Sequence, residues 1–213
     1  MSYVQNIIIF TIMITIYSLA NAIELEDQGA LIEENHDFTL SRTFIHSRED
    51  NLESNVFSVT RFIRVNYSVE AALNTLWNIE NLERYEPKVF SAHVEKKTDK
   101  TGSYIAWGFF GIMPWRGTFS YTLTDTGFTS ELLNSPIESF GVKGGFLVRG
   151  DGDNQCQIIH YEKYRTPDWL RCLTPMIKSY VGWSMERELK NIVCIISKTA
   201  PSFQANSEIS KVK

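Results

Sequence analysis

The chain lacks the groupings that most metal and cofactor sites need. It has three cysteines, none in a CxxC spacing, and its four histidines (His36, His46, His93, His160) are scattered. No Cys/His metal-ligand spacing exists, so neither a metal nor a cofactor is expected. Basic residues are not concentrated anywhere, and the net charge is −4, which removes the footprint nucleic acid requires. No Ser/His/Asp order is recognisable. The glycine-rich stretch Gly141-Val142-Lys143-Gly144-Gly145 has no strand–loop–helix context, so it reads as a bulge or bend and not as a phosphate cradle. Nor does the sequence repeat itself.

The apolar run at residues 7–19 stops short of the roughly 20 residues a membrane helix needs. It ends at Ala20-Asn21-Ala22, small residues flanking a variable one, and acidic residues follow at once. That pattern predicts an export signal over residues 1–22 cleaved after Ala22, although no Lys or Arg precedes the run; an uncleaved anchor is the alternative. The expected location is therefore secreted or periplasmic. Three cysteines are an odd number for an oxidising compartment. Buried thiols are the simplest reading of Cys156, Cys172 and Cys194, and a Cys156–Cys172 bond is the other. Asn66-Tyr67-Ser68 is a glycosylation sequon that also reads as a strand end followed by a helix cap.

What is present is apolar and aromatic: 43% hydrophobic residues, with 5 Trp, 9 Tyr and 13 Phe, enough for one packed domain. Residues 23–55 differ, with nine acidic residues against Arg42 and Arg48 and no sustained periodicity. They read as a poorly ordered acidic leader, or a segment draped on the domain. From residue 56 the pattern is ordered. Residues 56–65 alternate as a strand, residues 69–77 form a short helix capped by Ser68, and a second short helix stops at Pro87. Strands then follow near residues 89–97, 104–110, 116–124, 128–133, 137–149 and 155–164, separated by turn signals such as Asp125-Thr126-Gly127. Thr174-Pro175 opens a long helix to about residue 197, and residues 199–213 form a polar tail.

The predicted class is α+β: a strand, two short helices, a six-stranded antiparallel meander and a long carboxy-terminal helix over a curved sheet. Val65-Asn66-Tyr67-Ser68-Val69-Glu70-Ala71-Ala72-Leu73-Asn74-Thr75-Leu76-Trp77, then Leu82-Glu83-Arg84-Tyr85-Glu86-Pro87-Lys88-Val89, resemble the START-like, or SRPBCC, helix-grip superfamily. Pro167-Asp168-Trp169-Leu170 through Thr174-Pro175 to Ile192 is similar too. The resemblance covers residues 56–198. It implies a cavity between sheet and helix for sterols, lipids, quinones or polyketides, with catalysis in a minority of members.

The candidate lining is Trp107 and Phe109 (or Tyr104 and Phe110), Trp115, Phe119, Tyr121 and Tyr161 (or His160 and Tyr164), with Met176, Tyr180 and Trp183 from the helix. Arg61 and Glu188 interrupt apolar faces and are expected to pair inside the grip, or else to reach the rim. His160 and Glu162 share a strand face and read as a solvated outer pair. The favoured function is an exported carrier or sensor of a small hydrophobic molecule. An enzyme of cyclase or dehydratase type, using His160, Tyr121 or Glu188, is one competitor. A protein-interaction domain using the acidic leader is the other.

Overall fold

Alternation along residues 56–65 builds the first long strand of the domain. It buries Phe57, Val59, Ile63 and Val65 on one face. The computed structural model describes residues 31–34, 38–42, 55–110, 113–152 and 154–199. The expected signal at residues 1–22 and, beyond Thr199, the polar tail lie outside them. Among the described residues no helix is long and apolar enough to cross a membrane.

The strands are β1 (Leu31–Glu34), β2 (Phe38–Arg42), β3 (Val56–Val65), β4 (Val89–Lys97), β5 (Thr101–Phe110), β6 (Met113–Thr124), β7 (Gly127–Asn134), β8 (Gly141–Gly150) and β9 (Cys156–Arg165). They form one antiparallel sheet in the order β1-β2-β3-β9-β8-β7-β6-β5-β4. Strands β4 to β9 are the predicted meander, and β3 pairs with β9 along its whole length. Within the stretch expected as a poorly ordered leader or a draped segment, β1 and β2 pair as a hairpin, and β2 extends the sheet beyond β3. The rest of residues 23–54 lies outside the described residues.

Between β3 and β4 come α1 (Val69–Trp77), a short 3-10 turn, and α2 (Leu82–Tyr85). Ser68 caps α1 by accepting from the Ala71 N–H, and the Trp77 indole donates to the carbonyls of Thr124 and Gly127. The helix pair is thus tied to the β6–β7 turn. The last helix, α3 (Thr174–Thr199), packs on β3, α1 and α2. A 3-10 turn over Asp168–Leu173 leads straight into it, so Thr174 is already helical and makes no capping bond.

Along α3 the core divides. Ile177, Val181 and Met185 pack with Phe57, Val59 and Tyr164. Leu189, Ile192, Val193, Ile195 and Ile196 pack with the helices and the meander. Glu188 falls at the junction. The cysteines are all free, so no Cys156–Cys172 bond forms; Cys156 is buried as expected, whereas Cys172 and Cys194 are exposed. The glycine-rich stretch is the first half of β8, where a Cβ at Gly145 would collide with the Phe128 carbonyl. Glycine there lets β7 and β8 approach closely.

Candidate functional site

A cavity of about 450 Å³ opens between the sheet and the first half of α3. Its sheet wall is aromatic: Tyr104 stacks on Phe119 at 5.1 Å, and Phe128 and Phe146 continue the surface. Met176, Ile177 and Tyr180 face them from α3, while exposed Pro136 and Trp169 mark the rim. Apolar walls of this size suit a small hydrophobic molecule.

The buried end is polar. Glu86 and Lys88, flanking Pro87 between α2 and β4, meet His160, Glu162 and Tyr164 from β9 and Glu188 from α3, and all six border the cavity. The Lys88 ammonium donates to Glu162 Oε2 at 3.2 Å and to the Tyr164 hydroxyl at 3.4 Å, and lies 3.6 Å from Glu86 Oε2. The Tyr164 hydroxyl donates to Glu162 Oε2 at 2.8 Å. Glu86 Oε1 accepts the Lys88 backbone N–H. His160 stacks on Phe146 at 4.1 Å, with Nε2 3.7 Å from Glu162 Oε1. Its Nδ1 lies 3.1 Å from Glu188 Oε2. Neither atom has a partner beyond the other, and a proton on Glu188 can be donated to Nδ1 across that gap.

Burial sets the charge states. It pushes Glu188 up to about 8, and the Lys88 ammonium only partly offsets this. Burial also lifts Glu86 well above the carboxylate range, with Glu188 beside it adding to the rise. His160 is lowered to about 4 by the same desolvation. Glu162 goes the other way: burial alone would raise it, but Lys88, His160 and the Tyr164 hydroxyl together hold it below its ordinary value. Desolvation likewise opposes Lys88, yet Glu162 and Glu86 hold it well above its usual value. At neutral pH the resting cluster is therefore a Lys88–Glu162 ion pair beside neutral His160 and protonated Glu188.

Of the residues the sequence puts forward, Trp115, Phe119, Met176, Tyr180 and Glu188 border the cavity. Trp107 and Phe109 do not: they are 40% and 45% exposed, and Trp107 packs on exposed Phe90. The alternative parity faces inward, with Tyr104 and Ala106 on the cavity wall, and the side chain of Phe110 lies outside what is described; both faces of β5 are apolar, so alternation alone did not choose between them. Tyr161 also points away, 36% exposed, while His160 and Tyr164 are buried. The expected solvated His160–Glu162 pair is thus corrected to a buried one.

Tyr121 is core, beside Tyr104 but off the cavity wall. Trp183 packs between Tyr180 and the Arg187 guanidinium, also off the wall. Arg61 faces inward as its parity predicts, directly across the β3–β9 ladder from His160. Its partner is Glu186, Nε to Oε1 at 3.0 Å, and not Glu188. Sequence reasoning missed Glu86 and Lys88 altogether, since a turn around Pro87 carries no periodicity. Among the described residues no group of three or more His, Cys, Asp or Glu is arranged to hold a metal ion.

No family model matches the sequence, and no curated protein matches it. Solved structures do match in fold. The Zhui aromatase/cyclase from Streptomyces sp. R1128 superposes with a TM-score of 0.60 at 10% identity, covering 69% of this chain and 97% of that one. A START superfamily protein from Mycobacterium smegmatis gives 0.55 at 12% identity, covering 66% and 97%. A STAR-related lipid transfer protein from Xanthomonas axonopodis gives 0.50 at 12% identity, covering 80% and 99%. The fold is therefore the START-like, SRPBCC helix-grip fold. Identities this low speak to fold alone.

Proposed function

We propose that this protein is an exported carrier or sensor of a small hydrophobic molecule, of lipid, quinone or polyketide-like chemistry, held between the sheet and α3. The observation that carries this reading is the cavity of about 450 Å³, apolar along its walls and polar only at its buried end. Such a site buries an apolar body by desolvation and orients it by one polar contact. A lipid transfer protein and an aromatase/cyclase among the structural neighbours support the same class of ligand.

Mass spectrometry of a solvent extract of the purified protein is expected to show a bound small molecule. The neutral dye N-phenyl-1-naphthylamine should brighten on entering the cavity. Val142→Trp, which narrows the cavity from β8, should abolish that signal without lowering the melting temperature. An empty extract together with dye uptake indifferent to Val142→Trp would sink the carrier reading. Export is tested separately by sequencing the mature amino terminus, expected at Ile23.

A second reading rests on the cluster itself. His160 and Glu188 face one cavity 3.1 Å apart, which is the convergence acid–base catalysis needs. Under that reading, incubating protein with the extracted ligand yields a product, and Glu188→Gln stops the conversion. Unchanged ligand after long incubation leaves carriage alone.

A further inference from the structure

The buried end of the cavity gathers more carboxyl groups than its one ammonium could balance if all were ionised. Glu86, Glu162 and Glu188 converge there against Lys88 alone, and Lys88 is engaged by Glu162, Glu86 and Tyr164. His160 adds no positive charge, because burial lowers it to about 4. The other charged side chain on the cavity wall, Arg116, is exposed on β6.

Two polar atoms at this end, His160 Nδ1 and Glu188 Oε2, lie 3.1 Å apart and have no partner beyond each other, with their side chains 4% and 1% exposed. A carboxyl proton shared between them satisfies both; once it leaves, two buried acceptors face each other, which is costly unless a ligand completes them. When Glu188 is ionised and the His160 ring proton sits on Nε2, facing Glu162, both orphans are acceptors. The group that completes them therefore donates more than one hydrogen bond and carries positive charge. A hydroxyl has one donor. A carboxylate has none and would add a further negative charge.

We propose that the inner end of this cavity is a subsite for the ammonium group of an amphiphilic amine, received by Glu188 and His160, with the apolar body lying along Phe119, Trp115 and Tyr180. This rests on the carrier reading of the cavity. Entry of the cation displaces the carboxyl proton: Glu188–COOH and R–NH3+ give the Glu188 carboxylate paired with R–NH3+, and one proton leaves to solvent. Of the groups packed around Glu188, namely Glu86, Lys88, Glu162, His160 and Tyr85, Glu162 helps burial to hold that proton in the resting state, whereas the Lys88 ammonium and a hydrogen bond with Glu86 favour its release. Binding of a cationic amine consequently tightens by about tenfold from pH 6 to pH 7, and levels off above pH 8.

The test uses displacement of N-phenyl-1-naphthylamine by dodecylamine, dodecan-1-ol and dodecanoate, each below its aggregation concentration. The expected order at pH 7 is amine first, by about tenfold over the alcohol, with dodecanoate last. Calorimetry of the wild-type protein in two buffers of different ionisation enthalpy should show close to one proton released per amine bound. Glu188→Gln, checked for folding by its melt, should lose the amine preference and the pH dependence together. Alcohol binding as well as amine, or amine binding without proton release, overturns the ammonium subsite and leaves the cavity reading standing. Failure of the dye and all three ligands overturns both.

Discussion

Lys88 sits on a side chain only 7% exposed, 3.2 Å from one carboxylate and 3.6 Å from another. Buried charge of this kind is stable only as a set, because removing one member leaves the others desolvated and unanswered. Lys88→Met is accordingly expected to cost about 3–5 kcal/mol in urea denaturation. Adding Glu162→Gln should recover part of that loss, a coupling that independent sites would not show. Glu188 and His160 give the cluster a pH signature. Glu188 is raised to about 8 when folded, so its contribution to stability is complete below its unfolded value and is lost as pH rises towards 8. His160 is lowered to about 4, so folding loses stability as pH falls from 6.5 towards 4. Where the two windows overlap they cancel. From pH 6.5 to pH 8 only the Glu188 slope remains, about 2 kcal/mol lost in all, with Glu86 acting in the same direction. Denaturant titrations across that range should show the decline in wild type and a shallower one in Glu188→Gln, where only Glu86 still contributes. A wild-type profile already flat would mean that Glu188 is ionised in the resting protein.

The contact between β3 and α3 turns on a missing side chain. A Cβ at Gly182 would lie 2.6 Å from Arg61 Nη2, so glycine leaves the guanidinium room to reach Glu186 one turn along the helix. Gly182→Ala is expected to cost about 1–3 kcal/mol by displacing Arg61. In an Arg61→Ala background the same change should stabilise by up to about 1 kcal/mol, since alanine is the better helix former. Losses in both backgrounds would show that Arg61 does not set the requirement. The same two elements show where sequence reading succeeds and fails. Arg61 and Glu188 were legible as inward charges because each breaks an otherwise apolar face. Their pairing was not, because Glu186 and Glu188 differ only by rotation about α3. On β9 the parity was readable in principle: Gln157, Lys163 and Arg165 mark one face as outer, which sends His160, Glu162 and Tyr164 inward with Cys156 and Ile158. Two polar residues on the inward face mask that alternation. The cluster stayed hidden for a second reason, since its six residues come from three separated stretches that only the closed fold brings together.

At the scale of the molecule, the order of elements was legible because each strand of the meander is bounded by its own turn signal and the last helix carries a continuous apolar face. The hairpin β1–β2 was not, since its strands have four and five residues and sit in an acidic stretch without sustained alternation. Its position gives it a role. Without β2, which pairs with β3 from Phe38↔Val65 to Arg42↔Arg61, the ladder of β3 would lie open at the end of the sheet. An uncovered edge of ten residues is a template for pairing with another chain. The opposite edge, β4, carries exposed Glu95, Lys96 and Lys97, which discourage such pairing. A chain that starts at Asn55 should therefore keep a cooperative melt, because the core clusters and the cavity wall lie within residues 56–199. It should also associate as its concentration rises in sedimentation velocity, while the full chain does not. Phe62→Lys in the shortened chain places a charge on the open edge and should restore the monomer. A shortened chain that stays monomeric without that charge would show that the hairpin is not the cover of this edge.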